Sequence, residues 1–545
     1  MVTTYPDNTL NTQNLTKLYK ATGQNEDGAM TQKAITDALG EKADASALAA
    51  KADASALAGK MDAFNLNDYA SKTYVNSAIA NIPAGASSGG TINFGTDNAG
   101  HLIVVDEDGL SAVSDVMESD LIEALIKSGS FNAEGVVGIE IDYENKSVMR
   151  LQEAYGKSAG SDFDSYTMYG GRMRCNVASN GAINAFYGDN NYTDDGSNGQ
   201  VMVYQPKFYY ERIPMKYEAS ANGTIIRKET LLISDHAQTG FKLHPLFLNA
   251  DGNELDYVLL SAYEGSLENN KLNSVAGKKP MSNVSRDDAE NYAREAGSGE
   301  WHITNMEFES AIQMLEMIEF GTMNGQNALE KGVSNITSVS NYNCSAITGS
   351  TAALGNTTGV ATSTTVEING TSTAYSENGK RAISYRGMEN PWGNIWRMVG
   401  GAKVIGVNEN NGGLLYLCAT TNYFNDEIYN SVGFKLPSSY GWISAMGYSN
   451  KDNDWIYLPI ECQNANSATP VGDSIWTTPS LNGETVLIAG GSWGFEESNG
   501  PFCYGSDRAP VESAQKSYSA RLMYKPTKND TYTANIAAWT AKMEG

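Results

Sequence analysis

The sequence predicts a mixed α+β chain with an Ala-rich helical, coiled-coil-like stalk, a small neck and a large strand-rich head. Two contrasts along the chain carry this prediction. Residues 31–83 are rich in alanine and almost free of glycine, whereas the region beyond residue 130 is rich in aromatic residues, glycine and asparagine. That later region has only two windows with helical periodicity. Helices set among many strands are typical of α+β rather than α/β proteins.

Length, charge and cysteine content limit the classes of function. A chain of 545 residues suits about two to four modules. Its formal net charge of -25 argues against a nucleic-acid partner, because such binding depends on Lys and Arg that neutralise phosphates. Without a run of about 18 apolar residues we expect no membrane insertion, and the first residues lack the features of a signal peptide. The 5 scattered cysteines predict reduced thiols rather than a disulfide framework.

The segment 31–84 predicts a helical trimerisation stalk. It contains a direct repeat, Lys42–Ala50 followed by Lys51–Gly59, made mostly of the strong helix formers alanine and leucine. Its leucines are too sparse to stabilise an isolated helix in water. Small side chains around a leucine seam let several helices approach closely, which favours an oligomer. A flexible Ala-rich linker is the alternative, because the heptad register is broken.

The middle of the chain predicts a linker and a neck. Residues 85–90 read GASSGG and form the linker. Residues 91–130 form the neck, in which His101–Val105 has the pattern of a strand and the apolar residues near Leu121 have helical spacing. The head then covers 131–527, and 528–545 is a C-terminal tail.

Within the head, the two helical windows are Arg286–Ala296 and Glu307–Met317. The second has one apolar face, made by Phe308, Ala311, Ile312, Leu315 and Ile318. Three tryptophans have glycine neighbours, as expected where strands bury large aromatic rings and the backbone turns sharply. A place in the core is therefore predicted for Trp392, Trp396 and Trp493.

Short motifs in the head resemble a known family. Gly393–Val399 reads GNIWRMV and Gly490–Trp493 reads GGSW, while Trp301–Phe308 precedes the second helix. These three segments resemble signatures of C-type lectin domains of the formylglycine-generating-enzyme type. Val201–Tyr210 resembles a single strand that is common in phage versions of this domain.

Two further resemblances point to bacteriophage tails. Asn499–Tyr504, together with Ala520–Tyr524, is similar to the closing segment of phage receptor-binding proteins. Some of those proteins are the variable proteins of diversity-generating retroelements. Gly28–Leu39 resembles a segment that recurs in phage tail fibres. The resemblance of the head covers roughly residues 130–527, and that of the N-terminal segment covers a dozen residues.

These resemblances imply a C-type-lectin-like head in a non-enzymatic tail fibre or receptor-binding protein that mediates attachment to a host cell. The chain would be a homotrimer in the virion tail, made in the host cytoplasm and acting outside the cell. Residues 1–30 would bind other tail proteins, and the head would bind a glycan or protein on the host surface. A tail-associated polysaccharide depolymerase and a purely structural minor tail protein are the alternatives.

The candidate binding surface follows the GGSW motif. Between Trp493 and Arg521, aromatic and short polar residues occur together without apolar periodicity, a mixture that suits a contact surface. An ordinary long loop is the alternative. The predicted ligand-binding residues are Phe495, Glu496, Glu497, Asn499, Phe502, Tyr504, Ser506, Asp507, Arg508, Val511 and Glu512.

No catalytic residue, metal site or cofactor is predicted. The enzymes of the resembled family use two thiols in the segment after GGSW, and here that segment contains Cys503 alone. A GxSxG match at Gly156–Gly160 lacks the strand and helix that a nucleophile elbow needs. Calcium bound through Asp189, Asp194 and Asp195 is a possibility, with a solvated turn as the alternative. A glycosidase-like carboxylate pair stays open, because carboxylates are plentiful.

Overall fold

The computed structural model describes residues 134–406, 413–418, 423–424, 428–449, 452–464, 470–477 and 483–544, and the backbone of three earlier strands. The chain divides into two compact units, Met1–Asn132 and Ala133–Gly545. In the first, β1 (Asn93–Thr96), β2 (His101–Val105) and β3 (Ser111–Met117) form an antiparallel sheet in that order. The strand predicted at His101–Val105 is confirmed. The predicted attachment segment, stalk, linker and helical window near Leu121 lie outside the described residues.

The second unit is strand-rich. Its strands up to residue 303 are β4 (Val136–Asp142), β5 (Ser147–Gln152), β6 (Met173–Val177), β7 (Ile183–Phe186), β8 (Gln200–Pro206), β9 (Tyr209–Ser220), β10 (Gly223–Ser234), β11 (Lys242–Leu243), β12 (Tyr257–Ser261), β13 (Ser266–Glu268), β14 (Lys271–Asn273) and β15 (Glu300–Ile303). Its later strands are β16 (Gly359–Val360), β17 (Thr364–Ile368), β18 (Thr371–Tyr375), β19 (Ile383–Tyr385), β20 (Met388–Glu389), β21 (Trp396–Gly406), β22 (Gly413–Cys418), β23 (Tyr429–Lys435), β24 (Gly441–Tyr448), β25 (Pro459–Gln463), β26 (Ser474–Thr477), β27 (Gly483–Ala489), β28 (Tyr504–Ser506), β29 (Tyr518–Ser519) and β30 (Leu522–Lys525).

Two sheets contain most of the strands described in this unit. The larger has 14 strands, with the main order β11-β9-β10-β24-β26-β28-β27-β21-β22-β23. The second has 6 antiparallel strands in the order β15-β30-β12-β8-β6-β7. The sequence predicted one strand over Val201–Tyr210, but the structure divides it between the two sheets. β8 ends at Pro206, which has no N–H to continue a ladder, and β9 begins at Tyr209.

The helices of the second unit are α1 (Thr167–Gly170), α2 (Arg286–Arg294), α3 (Met306–Phe320), α4 (Gly325–Ala328) and α5 (Asp530–Glu544). The two predicted helical windows are confirmed as α2 and α3. The side chains of Ser285 and Asn305 cap their N-termini by accepting hydrogen bonds from the backbone, and Gly321 ends α3 with a φ of 66°. The predicted α+β class is thereby confirmed as a mixed, strand-rich arrangement of several sheets.

The helix α3 is more deeply buried than its predicted single apolar face implied. Its face toward β21 carries Glu309, whose carboxylate receives two hydrogen bonds from the Arg397 guanidinium at 3.0 and 2.9 Å. Glu319, three turns later, accepts hydrogen bonds from Arg386 at 2.7 and 2.8 Å. Because both acids and both arginines are buried, charge-assisted hydrogen bonds as well as apolar packing hold α3 against β21 and against the turn between β19 and β20.

The helix α5 was not foreseen, since 528–545 was predicted to be a tail. Its Trp539 ring stacks on Tyr204 of β8 with ring centroids 5.1 Å apart, and Tyr532 stacks on Tyr257 of β12 at 5.2 Å. The C-terminal segment therefore covers one face of the six-stranded sheet. No helix within the described ranges combines the length and apolar character that crossing a membrane requires.

Candidate ligand-binding surface

The GNIW and GGSW motifs, far apart in sequence, are joined directly in the fold. Gly393 N–H donates to the Gly490 carbonyl at 2.9 Å, and Trp493 N–H donates to the Asn394 carbonyl at 3.0 Å. Gly393 and Gly490 have φ values of 77° and 87°, which L side chains rarely adopt. The three tryptophans predicted for the core, Trp392, Trp396 and Trp493, are all buried, so that prediction is confirmed.

The segment 492–499 after GGSW forms a tightly fastened turn. The Asn499 amide closes it, because Asn499 Oδ1 accepts from Ser492 N–H and Asn499 Nδ2 donates to the Ser492 carbonyl, both at 2.9 Å. Gln326 Nε2 donates to the carbonyls of Glu496 and Asn499 at 2.9 and 2.7 Å. Glu496 is exposed and has a φ of 47°, an uncommon conformation for a residue other than glycine. These hydrogen bonds hold the backbone of the turn in place.

The predicted binding residues divide into two groups by burial. Four of them are interior: Asn499, Phe502, Tyr504 and Ser506. These four side chains pack or hydrogen-bond inside the head and hold the backbone in place, so they offer no contact surface, and we remove them from the candidate site. The others are exposed or half-buried: Phe495, Glu496, Glu497, Asp507, Arg508, Val511 and Glu512.

Phe495 lies beside two aromatic residues that sequence reasoning did not select. The Trp476 ring lies 5.8 Å from Phe495, and the Tyr440 ring lies 4.9 Å from Trp476. Tyr440 is 42% exposed and Trp476 is 40% exposed. On the inner side, Phe495 contacts the buried Trp396 at 5.2 Å. We call Tyr440, Trp476 and Phe495 the aromatic patch.

Strand pairing inside the large sheet brings the aromatic patch together. β24 and β26 pair antiparallel with Gly441 opposite Ile475, which places Tyr440, just before β24, beside Trp476. β26 pairs parallel with β28, with Trp476 opposite Gly505. Ile475 is buried and Trp476 is exposed, as the alternation of side chains along a strand requires. Trp476 therefore lies on an interior strand of the sheet, and Tyr440 lies directly before another.

Polar groups surround the aromatic patch. Tyr440 Oη lies 3.5 Å from Ser498 Oγ. The exposed Glu497 carboxylate pairs with Lys331 Nζ at 3.1 Å. Its neighbour Glu496 has no ion pair with a basic side chain of the described ranges. The patch is thus an apolar surface that carries the Tyr440 hydroxyl, and two exposed acidic residues follow Phe495 in the sequence.

The remaining predicted residues, Asp507 to Glu512, lie on the chain that follows β28. The Tyr518 hydroxyl donates to the Asp507 carboxylate, and Val486 N–H of β27 donates to the Arg508 carbonyl at 2.9 Å. Val511 is 86% exposed. These residues contact β27 and the segment near β29, whereas the Phe495 ring contacts Trp476 of β26 and Trp396 of β21.

A buried carboxylate pair lies beside the GNIW motif. Glu389 accepts hydrogen bonds from the backbone N–H groups of Gly349 and Thr351 at 2.8 and 2.7 Å. Glu264 accepts from Asn394 Nδ2 at 2.8 Å. Burial, and then repulsion by Glu264, raise the pKa of Glu389 to about 7. Glu264 is 2% exposed and Glu389 is 0% exposed, so this pair is closed to a polymeric substrate.

The thiols and the loop considered for calcium have other surroundings. Cys503 is buried, which raises the pKa of its thiol well above the usual range, and all five cysteines are free thiols. Asp189 pairs with Lys542 at 2.6 Å, Asp194 accepts from the Tyr263 hydroxyl at 2.7 Å, and Asp195 accepts from a neighbouring turn N–H. Across the described ranges, no group of three or more His, Cys, Asp or Glu side chains could hold a metal ion.

Comparisons with known proteins add no relative. No family model matches this chain, and no curated protein matches it. The functional argument therefore depends on the motifs, on their meeting in the fold and on the aromatic patch.

Proposed function

We propose that this chain is a bacteriophage tail fibre or receptor-binding protein whose head attaches to the surface of a host cell through the aromatic patch. The observation that carries the proposal is the pair of exposed rings, Tyr440 and Trp476, which the pairing of β24 with β26 brings together next to Phe495. Tryptophan and tyrosine dominate binding energy at interfaces, because they offer large rigid contact areas with few rotatable bonds.

We further propose that the head is a C-type-lectin-like domain. Support comes from the three family-like motifs, which pack against one another. GNIW and GGSW are joined by the bond from Gly393 to Gly490, and Arg397 of the first motif binds Glu309 at the start of α3. The third motif, Trp301–Phe308, leads into that same helix. A set of signatures that share one region of the fold supports the resemblance more strongly than each short match does.

The stalk and the virion tail location belong to the same proposal. A homotrimer would present three patches, and contacts that are weak singly become useful when the second and third are intramolecular. Residues 1–30 would hold other tail proteins. Mass measurement of the purified chain tests the trimer, and a monomer at micromolar concentration would contradict it.

Attachment is tested with the whole chain, fluorescently labelled, on a panel of bacterial strains. We expect Trp476→Ala to weaken capture by a responsive strain by tenfold or more, since removing an anchoring aromatic residue typically costs ~2 kcal/mol or more. Tyr217→Ala is the matched control, because Tyr217 is 39% exposed and lies on the β9–β10 hairpin. Equal capture of wild type and Trp476→Ala would contradict the proposal.

The two alternatives predict different results on the same strains. A polysaccharide depolymerase would release new reducing ends from isolated envelope polysaccharide. A purely structural tail protein would be captured by no strain, and phage particles carrying Trp476→Ala would adsorb normally.

A further inference from the structure

The aromatic patch is small, with two exposed rings and one half-buried ring. The large hydrophobic side chains exposed in the described residues are Tyr155, Tyr217, Leu267, Val339, Tyr342, Phe424, Tyr440, Trp476, Val511 and Met543. Among these exposed side chains of the described residues, Tyr440 and Trp476 are the two whose aromatic rings contact each other. A stable protein interface buries about 800 Å² on each partner around an apolar centre. Two exposed rings and one half-buried ring suit a ligand the size of a few sugar rings.

The chemistry of the patch matches a ligand that is apolar on one face and hydroxylated at its edges. Aromatic rings carry a negative face, which attracts weakly positive C–H groups. The rings of Tyr440 and Trp476 are inclined by 58°, so they form an angled surface rather than a flat one. The Tyr440 hydroxyl can exchange hydrogen bonds with ligand hydroxyls, and the carboxylate of the exposed Glu496, next to Phe495 in the sequence, can accept them. A pyranose ring has this distribution of C–H and hydroxyl groups.

The charges at the border restrict the class of sugar. Glu496 is exposed and has no ion-pair partner among basic residues of the described ranges, while Glu497 is balanced by Lys331. The whole chain has a formal net charge of -25. A polymer of uronic acids or phosphosugars would approach with the same sign of charge and be repelled.

We infer that the aromatic patch binds a neutral hexopyranose chain, including N-acetylated sugars, by stacking on Trp476 and Tyr440. This inference rests on the proposed attachment function and narrows its ligand to one class. The protein ligand that the attachment function would also allow becomes an outcome of the test.

The first experiment uses a strain that captures the labelled chain. Cells are treated with periodate, which cleaves sugar diols, or with protease. We expect protease to leave capture unchanged, and we expect periodate to remove it wherever the bound chain has free vicinal diols, which 1,4-linked N-acetylated sugars lack. Capture that survives periodate and disappears with protease would overturn the inference while leaving the attachment function intact. Capture by no strain would instead contradict the attachment function itself.

The second experiment titrates the whole chain with chitohexaose, dextran oligosaccharides and alginate oligosaccharides and follows tryptophan fluorescence. We expect at least one of the two neutral probes to bind, alginate to bind at least tenfold more weakly, and the Kd for the neutral probe to change less than twofold between 50 and 500 mM NaCl. Binding to neither neutral probe, or tighter binding of alginate, would overturn the inference.

Variants link the binding to the patch. Trp476→Ala is expected to weaken binding of the neutral probe at least tenfold, whereas Tyr440→Phe, which keeps the ring, is expected to weaken it less than fivefold. Tyr217→Ala should bind as wild type does. Far-ultraviolet circular dichroism verifies that each variant is folded. A folded Trp476→Ala variant that binds the neutral probe normally would place the ligand elsewhere and overturn the inference.

Discussion

Replacing Gly491 by alanine should destabilise the head severely, because two separate features of the structure reject a Cβ atom there. Gly491 has a φ of 84°, in the left-handed region that alanine adopts at a cost. A Cβ at this position would lie 1.7 Å from Asn499 Oδ1 and 2.6 Å from its Cγ. The Asn499 amide would have to leave its place, and both of its 2.9 Å hydrogen bonds with the Ser492 backbone would be lost.

The size of the effect follows from these two features. The left-handed conformation costs alanine about 1–2 kcal/mol. Each buried polar group that loses its partner costs about 1–3 kcal/mol, and the Ser492 N–H and carbonyl both lose theirs. The expected decrease in the free energy of unfolding is therefore about 3–8 kcal/mol. Since domains are stable by only about 5–15 kcal/mol, this is a large fraction of the total.

Urea denaturation followed by circular dichroism measures the decrease. Gly370→Ala is the matched control, because Gly370 has a φ of 74° in the β17–β18 turn but no atom within 4 Å of a Cβ. It bears the conformational cost alone, about 1–2 kcal/mol. If Gly491→Ala lowers the free energy of unfolding no more than Gly370→Ala does, the Asn499 amide does not close the turn as described.

Three further predictions concern other parts of the head. Trp539→Ala removes the ring stacked on Tyr204 and should lower the free energy of unfolding by about 2–3 kcal/mol in urea, less than for a fully buried tryptophan because Trp539 is half-buried. A thiol reagent should label at most two cysteines of the native chain and all five in urea. The thiols expected to resist are Cys175, Cys344 and Cys503, which are buried. Burial lowers the pKa of His302, but its hydrogen bonds to Glu290 and Glu300 raise the pKa by more, so the net pKa lies above the usual 6.5. Its stabilisation is therefore present below pH 6.5 and is lost as pH rises through the higher folded-state pKa, and His302→Gln should remove this part of the pH dependence of unfolding.

Local patterns in the sequence predicted the features that depend on neighbouring residues. The apolar spacing within 307–317 located α3, and the glycines around Trp396 and Trp493 indicated their burial. Both depend on local backbone geometry and on side-chain periodicity, which a short window contains. The helix α5 was missed because its apolar contacts, such as Trp539 on Tyr204, depend on a sheet strand more than 300 residues earlier.

The candidate site was predicted only in part, for a related reason. Phe495 could be selected from its own segment, but Tyr440 and Trp476 are brought to it by the pairing of β24 with β26 and of β26 with β28. That register is a long-range property. One local signal existed in Ser474–Thr477. Successive side chains of a strand point to opposite faces, so a strand that buries Ile475 places Trp476 on the other face. Composition also suggested contact roles for residues such as Tyr504 that the sheet buries.

The burial pattern bears on whether this surface could be diversified by a retroelement. Adenine-directed changes from asparagine codons can produce the residues at 495, 499, 504, 506 and 507. Three of these are interior and hydrogen-bonded: Asn499 to Ser492, Tyr504 to Gln313, and Ser506 to Thr485. Random replacement at those positions would leave buried partners unsatisfied and cost stability before it changed recognition. Variation in recognition would be tolerated instead at exposed positions such as Glu496, which that mechanism does not produce, so the geometry of this segment favours a ligand specificity that is inherited unchanged.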